Sequence, residues 1–299
     1  MPPSDGGPEA AAAARTSTTR RQVLRARDDA AQTRTDVLAV EEPLEIRLYP
    51  PDGGPFSRIS VTMRTPGHDF ELAAGFLCTE GVLRSPEDVR AISYCTDPSL
   101  DGVQQYNIVN VVLRTGASYD AERLQRNFYT TSSCGVCGKA SIDAIHVRGI
   151  AGVGDDDLTV GGETLARLEG ALREAQTLFA KTGGLHAAGL FDRNGRLLTL
   201  REDVGRHNAV DKVVGHAFLG RRLPLRQHIL MVSGRASFEI VQKAAAAGVP
   251  VIAAVSAPSS LACDAAEAFG MTLVGFVRGP QFTVYTGAGR VRLRGRSQP

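Results

Sequence analysis

The second half of the chain constrains the fold most strongly, because helical and apolar extended segments alternate there from about residue 163 onward. Leu165, Leu168 and Leu172 follow helical spacing, and the predicted helix ends at Gly183. The segments that follow are a hairpin over 185–200, a helix carrying residues 209–218, strands over 228–233, 249–256 and 271–277, and helices over 238–247 and 261–269. This alternation predicts a layered α/β domain.

Two predicted strands of this domain end in serine-rich turns that open helices, at 233–237 and 256–260. Such turns lie at the carboxyl edge of a parallel sheet, where open α/β sheets bind ligands and where helix N-termini favour anions. One interpretation is a site for a phosphate-bearing ligand, and the other is that the serines only cap their helices. The chain has no Gly-x-Gly-x-x-Gly or Walker motif that would identify a nucleotide fold.

The chain before about residue 113 has a different pattern, with short strands and one or two helices. Strands are predicted over 44–48, 58–64 and 106–114 and a helix over 69–77, while Ser85-Pro86 is typical of a helix start. The fold class is therefore α/β, with an α+β N-terminal part. The predicted organisation is a disordered leader over 1–36, an N-terminal α+β domain over 37–130, a mobile Cys-x-x-Cys loop with a short helix over 131–150, and a C-terminal α/β domain over 151–299.

Charge and hydropathy exclude several classes of protein. The 34 basic and 32 acidic side chains leave a net charge of +2, so nothing indicates a nucleic-acid partner or an anionic membrane surface. No stretch approaches the roughly 18 apolar residues of a membrane span, and the charged segment 25–36 lacks the apolar region of an export signal. We therefore expect a cytoplasmic protein. The alternating arginines of 290–296 indicate one solvated strand face.

The chain has five cysteines, an odd number in a protein too long to need disulfide bonds for stability. Cys78, Cys95 and Cys263 stand alone, whereas Cys134 and Cys137 form a Cys-x-x-Cys motif. The flanks of the motif are small, polar and glycine-rich, which predicts an accessible loop. A helix is predicted to start just after it at 140–147, and that helix end together with Lys139 favours a thiolate.

Several chemistries use such a pair of thiols. A structural zinc site needs four ligands, and no second Cys-x-x-Cys or His-x-x-x-His completes one here. A zinc deaminase would carry His-x-Glu upstream and proline before the first cysteine, where this chain has Ser133. A thioredoxin-type oxidoreductase would place the pair near the start of a βαβ unit, whereas this pair lies in a glycine-rich loop between the two predicted domains. Transfer of sulfur as a persulfide fits better, because it needs an exposed thiolate of low pKa and a nearby second thiol.

Four motifs in order give a specific resemblance. They are Thr131-Ser132-Ser133-Cys134-Gly135-Val136-Cys137-Gly138-Lys139-Ala140-Ser141, then Thr182-Gly183-Gly184-Leu185-His186, then Asp203-Val204-Gly205-Arg206-His207-Asn208-Ala209-Val210-Asp211-Lys212, then Ser233-Gly234-Arg235. The chain from about residue 42 to 286 resembles the FdhD family of sulfur carrier proteins needed for formate dehydrogenase maturation. The resemblance implies a C-terminal domain with a fold like that of cytidine deaminases, and a homodimer in the cytoplasm.

The resemblance also implies an activity and its partners. A cysteine desulfurase would donate sulfur as a cysteine persulfide, and the acceptor would be the Mo-bis(molybdopterin guanine dinucleotide) cofactor before its insertion into formate dehydrogenase. The protein would be a sulfurtransferase with no permanently bound metal. The alternative is a non-enzymatic molybdenum-cofactor chaperone whose Cys-x-x-Cys ligates zinc.

Carried over to this sequence, the persulfide would form on Cys134 and Cys137 would assist. The family's cofactor-binding segment corresponds to Phe276-Val277-Arg278-Gly279-Pro280-Gln281. The planar guanidinium of Arg278 suits a phosphate or a guanine edge. Family members often end this segment with a basic residue, whereas this chain has Gln281. Further polar candidates for the lining of the cofactor site lie at the starts of two predicted helices. They are Arg206, His207, Asn208, Asp211 and Lys212 on one helix and Arg235 on the other.

Overall fold

The structure is a computed structural model that describes residues 16–28, 30–117, 150 and 152–293. The strands are β1 (Thr18–Arg27), β2 (Ala30–Ala39), β3 (Glu42–Tyr49), β4 (Ser57–Arg64), β5 (Val89–Tyr94), β6 (Ile108–Leu113), β7 (Val160–Gly161), β8 (His186–Asp192), β9 (Leu197–Asp203), β10 (His228–Val232), β11 (Val251–Ala254), β12 (Thr272–Arg278), β13 (Gln281–Thr286) and β14 (Val291–Arg292). The helices are α1 (Asp69–Thr79), α2 (Gly102–Tyr106), α3 (Gly162–Ala175), α4 (Thr177–Thr182), α5 (Arg206–Leu219), α6 (Phe238–Ala246) and α7 (Ser260–Ala268). In this described part of the chain, no helix is both long enough and apolar enough to cross a membrane.

The larger sheet has six strands in the order β13-β12-β11-β10-β8-β9. Strands β10, β11 and β12 are parallel to one another, and β8 and β13 run antiparallel to their neighbours. Helices α5, α6 and α7 cover one face through Val213, Ile240 and Ala265, all fully buried. On the other face, Leu165 and Leu168 of α3 pack on the sheet. The chain is thus a mixed α/β protein, and the predicted alternation of helices and strands is confirmed.

The smaller sheet has four strands in the order β4-β3-β6-β5, with β3 parallel to β6. The alternation of buried and exposed side chains along β3 directs Leu44 and Ile46 to a core that also contains Leu72 of α1. Predicted strands 44–48 and 58–64 and the predicted helix 69–77 are confirmed within one or two residues at each end.

Helices α1 and α5 join the two parts of the molecule. They cross so closely that a Cβ atom on Gly75 would lie 1.9 Å from the carbonyl oxygen of Asp211. A Cβ atom on Gly215 would lie 1.8 Å from the carbonyl oxygen of Glu71. Only glycine permits this backbone-to-backbone approach at either position. The side chain of Phe218, one turn further along α5, is buried in the core of the smaller sheet.

The segment before residue 36 differs from the predicted disordered leader. From Thr18 it forms the antiparallel hairpin β1–β2, with ten residue pairs in register from Thr18–Ala39 to Arg27–Ala30. Most side chains of the hairpin are exposed and none is fully buried, so its sequence carries no apolar periodicity. The hairpin is held by backbone hydrogen bonds instead, and a hydrogen bond from Ser17 Oγ to the Pro66 carbonyl (2.9 Å) ties its base to the rest of the protein.

Two further elements depart from the sequence prediction. Ser85 does cap a turn, but that turn is a single 3₁₀ segment, Pro86–Asp88, and β5 begins immediately after it. The arginine-rich end begins with Arg290, whose guanidinium donates hydrogen bonds to the carbonyl oxygens of Val153 (2.7 Å) and Gly270 (2.8 Å). Arg290 therefore ties loops together, and the prediction of a solvated strand face is wrong at this residue.

Candidate functional site

The parallel strands define one edge of the larger sheet as a candidate site. We call this edge the rim, meaning the carboxyl ends of β9, β10, β11 and β12 and the turns that follow them. The serine-rich turns after β10 and β11 both lie there, and a backbone bridge between Ala236 and Pro258 joins them. Ligands of open α/β sheets bind at such an edge, because the strand ends and helix starts leave polar backbone groups exposed there.

The two serine turns differ in what their hydroxyl groups do. Ser259 caps α7, since its hydroxyl accepts a hydrogen bond from the Ala262 N–H (3.2 Å). Ser237 occupies the same position before α6 but makes no capping hydrogen bond. Its hydroxyl is instead 3.1 Å from Nε2 of His207. The interpretation of these serines as helix caps is therefore confirmed for Ser259 and wrong for Ser237.

The predicted cofactor segment forms the connection between β12 and β13 on the rim. Phe276 has a positive φ of 52° and is 42% exposed, and its N–H donates to the Ser256 carbonyl (3.3 Å). Val277 is completely buried, whereas Arg278 is exposed. Gly279 and Pro280 form the turn between the two strands. Gly279 has a positive φ of 55°, a backbone conformation that glycine adopts without steric cost. Gln281 pairs with Arg278 at the start of β13.

A cluster of titratable side chains lies at the other end of the rim. His186 begins β8, and His207 is the second residue of α5. Nε2 of His207 is 2.8 Å from the carboxylate of Glu239, the second residue of α6. The hydrogen bond with His207 lowers the pKa of Glu239. Burial acts in the opposite direction but is the smaller effect, so the pKa lies below its usual range. Glu239 had no sequence signal of its own, because its role depends on α5 and α6 starting side by side.

His186 lies near Arg206 and His207. Burial lowers its pKa, and the positive charge of Arg206 and the proximity of His207 lower it further. The imidazole is therefore neutral near pH 7 and is able to donate or accept a hydrogen bond. The backbone N–H of Ala187, the next residue, donates to the Ser233 hydroxyl at 2.8 Å, which holds the start of β8 against the turn after β10.

The start of α5 is held by a buried carboxylate. Asp203 Oδ1 accepts hydrogen bonds from the Gly205 N–H (2.8 Å) and the Asn208 amide (3.0 Å). Its Oδ2 accepts from the Thr65 N–H (3.1 Å) and lies 2.7 Å from Nζ of Lys212. The residues of the Asp203–Lys212 motif therefore have two different roles. Arg206 and His207 lie at the rim, whereas Asp203, Asn208 and Lys212 hold the start of α5 in place.

The motif's other acidic residue does not reach the rim. Asp211 is buried between α1, α5 and α6, where it accepts hydrogen bonds from Thr79 (2.9 Å) and Lys243 (2.9 Å). The sequence grouped Asp211 and Lys212 with Arg206 as possible lining of a cofactor site, and for these two residues that interpretation is wrong. A helix turns by about 100° per residue, so neighbours in the motif face different surroundings.

The two cysteines of the Cys-x-x-Cys motif, Cys134 and Cys137, lie outside the described residues. The three solitary cysteines are free thiols. Burial raises the pKa of Cys78 to about 12, and burial followed by the charge of Asp264 raises that of Cys263. A thiol with a raised pKa is a poor nucleophile at neutral pH, so neither of these two is suited to carry sulfur.

Metal ligation also has a structural test within the described residues. In the ranges 16–28, 30–117 and 152–293, no group of three His, Cys, Asp or Glu side chains is arranged to hold a metal ion. The zinc alternative concerns Cys134 and Cys137 and stays a prediction. A cavity of about 500 Å³ lies at the C-terminal end of α6, away from the rim, and is lined in part by Cys78, Leu223 and Gly248. The described residues of its lining include no cluster of His, Asp or Glu side chains that could bind a metal ion.

Fold and rim together define an open α/β protein whose candidate ligand site is the carboxyl edge of its larger sheet. A sequence model of the FdhD/NarQ family matches residues 39–292. The chain belongs to that family, and its resemblance to FdhD proteins is confirmed. The matched region contains both sheets and the whole rim.

Individual relatives align with this chain over most of their length. The sulfur carrier protein FdhD of Streptomyces coelicolor is 54% identical over 278 residues, which cover 93% of this chain and 96% of that protein. The protein of the same name from Mycobacterium tuberculosis is 52% identical over 92% of this chain and 99% of its own. A crystal structure described as that of a "putative formate dehydrogenase accessory protein" from Desulfotalea psychrophila superposes with a TM-score of 0.69 at 25% identity, covering 93% of this chain and 100% of that one.

Proposed function

We propose that this protein is a sulfurtransferase that carries sulfur as a persulfide on Cys134 and delivers it to the Mo-bis(molybdopterin guanine dinucleotide) cofactor of a formate dehydrogenase. The observation that supports this best is a Cys-x-x-Cys motif in a chain 54% identical, over 93% of its length, to a protein named as a sulfur carrier. A cysteine desulfurase is the proposed donor. The proposed location is the cytoplasm, and the proposed assembly is a homodimer, which the molecular mass in solution tests.

The proposed loading step is a thiol–persulfide exchange. The Cys134 thiolate attacks the terminal sulfur of the desulfurase persulfide, a new S–S bond forms on Cys134, and the desulfurase cysteine leaves as a thiolate. No net oxidation or reduction occurs in this exchange. Cys137 then assists release of the sulfur to the cofactor, which is the cargo of the protein.

The proposed cofactor site is the rim, with Phe276–Gln281 at one end and the His186, Arg206 and His207 cluster at the other. The strand order of the larger sheet, in which β8 runs antiparallel beside three parallel strands, supports the proposal that the C-terminal part has a fold like that of cytidine deaminases. The proposed chemistry differs from deamination because Ser133 stands where a zinc deaminase has proline and the His-x-Glu motif is absent.

Mass spectrometry tests the loading step. After incubation with a cysteine desulfurase and cysteine, the wild-type protein is expected to gain the mass of one sulfur atom at Cys134 and to lose it on reduction. Cys263→Ala is the matched control and is expected to load normally, because the Cys263 pKa is raised. Cys134→Ala is expected neither to load nor to restore formate dehydrogenase activity in a strain that lacks the protein.

Full restoration of activity by Cys134→Ala would reject the persulfide role. The cofactor chaperone with a zinc-ligating Cys-x-x-Cys is the second candidate. Stoichiometric zinc in the purified protein, together with function retained after alkylation of both thiols, would favour that candidate over sulfur transfer.

A further inference from the structure

Arg206 has no internal counterion in the described part of the chain. Its Nε atom is buried and makes no hydrogen bond within that part. The other arginines held inside the fold are satisfied: Arg64 bonds Asp69 (2.9 Å and 3.0 Å), and Arg201 bonds Glu71 (2.5 Å and 2.7 Å). A buried guanidinium N–H without an acceptor is costly, so a partner from outside the described fold is indicated.

The carboxylates near Arg206 are already engaged. Asp203 is completely buried and pairs with Lys212 at 2.7 Å, besides accepting backbone hydrogen bonds. Glu239 pairs with His207 at 2.8 Å. Arg206 contributes to the electrostatic field at Glu239 but forms no ion pair with it. The fold therefore brings a cation to the rim and assigns its acidic neighbours to other groups.

The space next to Arg206 is kept open by a glycine. A Cβ atom at Gly234, in the turn after β10, would lie 3.3 Å from Nδ1 of His186 and 3.9 Å from Cδ of Arg206. Any side chain there would enter the space between these two residues. His186 is neutral near pH 7, because burial and the neighbouring charge lower its pKa, so it adds a hydrogen-bonding group without needing a counterion.

The starts of two helices lie beside Arg206, because Arg206 begins α5 and the start of α6 contacts the next residue, His207. Helix α5 follows Gly205 and α6 follows Ser237, and neither helix has a side-chain cap. The Ser237 hydroxyl, which would otherwise cap α6, is bound to His207. Uncapped helix N-termini add partial positive charge and free N–H groups to the charge of the guanidinium. All these groups favour an anion with several acceptor oxygens.

We propose that Arg206 is the anion-binding residue of the rim and that it holds a phosphate group of the cargo over the Gly234 turn. The assignment rests on the proposed function and adds a specific contact to it. Gly234 follows β10 and Arg278 ends β12, two strand spacings away, or roughly 10 Å. The phosphates therefore bind at the Arg206 end of the rim, and the remainder of the dinucleotide extends toward Phe276–Gln281.

Calorimetric titration of the full chain with GDP, guanosine and inorganic pyrophosphate tests the assignment. Wild type is expected to bind GDP more tightly than guanosine. Arg206→Ala is expected to weaken GDP and pyrophosphate binding about tenfold or more and to leave guanosine binding unchanged. Arg206→Lys is expected to fall between them, because an ammonium lacks the planar fork. Arg196→Ala is the control, since Arg196 is 77% exposed in the β8–β9 turn at the opposite end of the sheet.

The comparison of GDP with guanosine separates phosphate binding from a general structural role, and thermal melting checks that each variant is folded. Equal GDP affinity of Arg206→Ala and wild type would overturn the Arg206 assignment and leave the proposed function intact. Equal loss of GDP and guanosine binding would overturn it as well. If wild type bound neither GDP nor pyrophosphate, cofactor binding at the rim would fail too, whereas persulfide formation on Cys134 is measured independently.

Discussion

At the scale of single residues, the buried lysines show how the interior uses charge. Only four of the 34 basic side chains are lysines, and Lys212 and Lys243 are 1% and 5% exposed. Nζ of Lys243 lies 2.9 Å from Asp211, 3.1 Å from Thr79 and 3.5 Å from Glu80. A compact ammonium with three donors fits three converging acceptors, whereas a planar guanidinium would not.

Removing one member of this buried pair is expected to be costly. Lys243→Met leaves the Asp211 carboxylate buried without its cation, so the free energy of unfolding is expected to fall by about 3–5 kcal/mol. Urea denaturation monitored by circular dichroism measures the change. Lys181→Met is the matched control and is expected to have little effect, because Lys181 is exposed on α4.

The double variant Asp211→Leu/Lys243→Met sharpens this prediction. Because it removes both charges, it is expected to recover part of the stability that Lys243→Met loses. A loss below about 1 kcal/mol in Lys243→Met would contradict the buried ion pair.

At the scale of elements, the crossing of α1 and α5 depends on two glycines rather than on apolar side chains. Gly75→Ala would place a methyl group 1.9 Å from the Asp211 carbonyl oxygen, so the helices must separate. We expect the free energy of unfolding to fall by about 3 kcal/mol or more, the upper end of overpacking effects. Gly170→Ala on α3 is the control: nothing lies within 4 Å of its Cβ position, and it is expected to gain about 0.5–1 kcal/mol of helix stability.

Thermal and chemical unfolding of the two variants makes this comparison directly. Both changes add one methyl group to a helix, so a difference between them reports the contact with α5 alone. A Gly75→Ala protein as stable as wild type would show that α1 and α5 do not pack as closely as the structure has them.

The boundaries of most elements follow from local signals. Gly183, with a φ of 67°, ends α4, and Ser259 caps α7, as their positions in the sequence predicted. The predicted single helix ending at Gly183 is instead two, because the chain leaves the helical conformation at Gln176 (ψ 79°) between α3 and α4. Ser237 fails as a cap because His207, thirty residues earlier in the chain, takes its hydroxyl.

At the scale of the whole molecule, an ionic cluster joins the smaller sheet's helix to the larger sheet. Glu71 of α1 accepts hydrogen bonds from Arg201 of β9 (2.5 Å and 2.7 Å) and lies 3.0 Å from Nδ1 of His216 on α5. Burial alone would raise the pKa of Glu71, but the hydrogen bonds and charge of Arg201 outweigh it and hold the pKa below its usual range.

The lowered Glu71 pKa predicts a pH dependence of stability. The carboxylate contributes stability above its unfolded-state pKa of about 4.3, and the contribution is lost as the pH falls through the lower folded-state pKa. Wild type is therefore expected to be more stable than Glu71→Gln at pH 7, with the difference shrinking below about pH 4.3. Unfolding curves of both proteins from neutral to acidic pH measure this. His68 and His216 also face the Glu71 carboxylate. If the stability difference between wild type and Glu71→Gln stayed constant well below about pH 4, the ion pair between Glu71 and Arg201 would be contradicted.

The sequence by itself determined most of the order of helices and strands in the larger sheet, the layered α/β architecture and the Cys-x-x-Cys motif, because periodicity, caps and turns depend on residues a few positions apart. Only the tertiary structure decided which polar residues meet. Asp211 and Lys243 are separated by 32 positions and Glu71 and Arg201 by 130, so no local pattern pairs them. Within the described residues, the same folding leaves Arg206 at the rim without a counterion. Its chemistry was visible in the sequence as one basic residue in a motif, but its unsatisfied charge is a property of what packs around it.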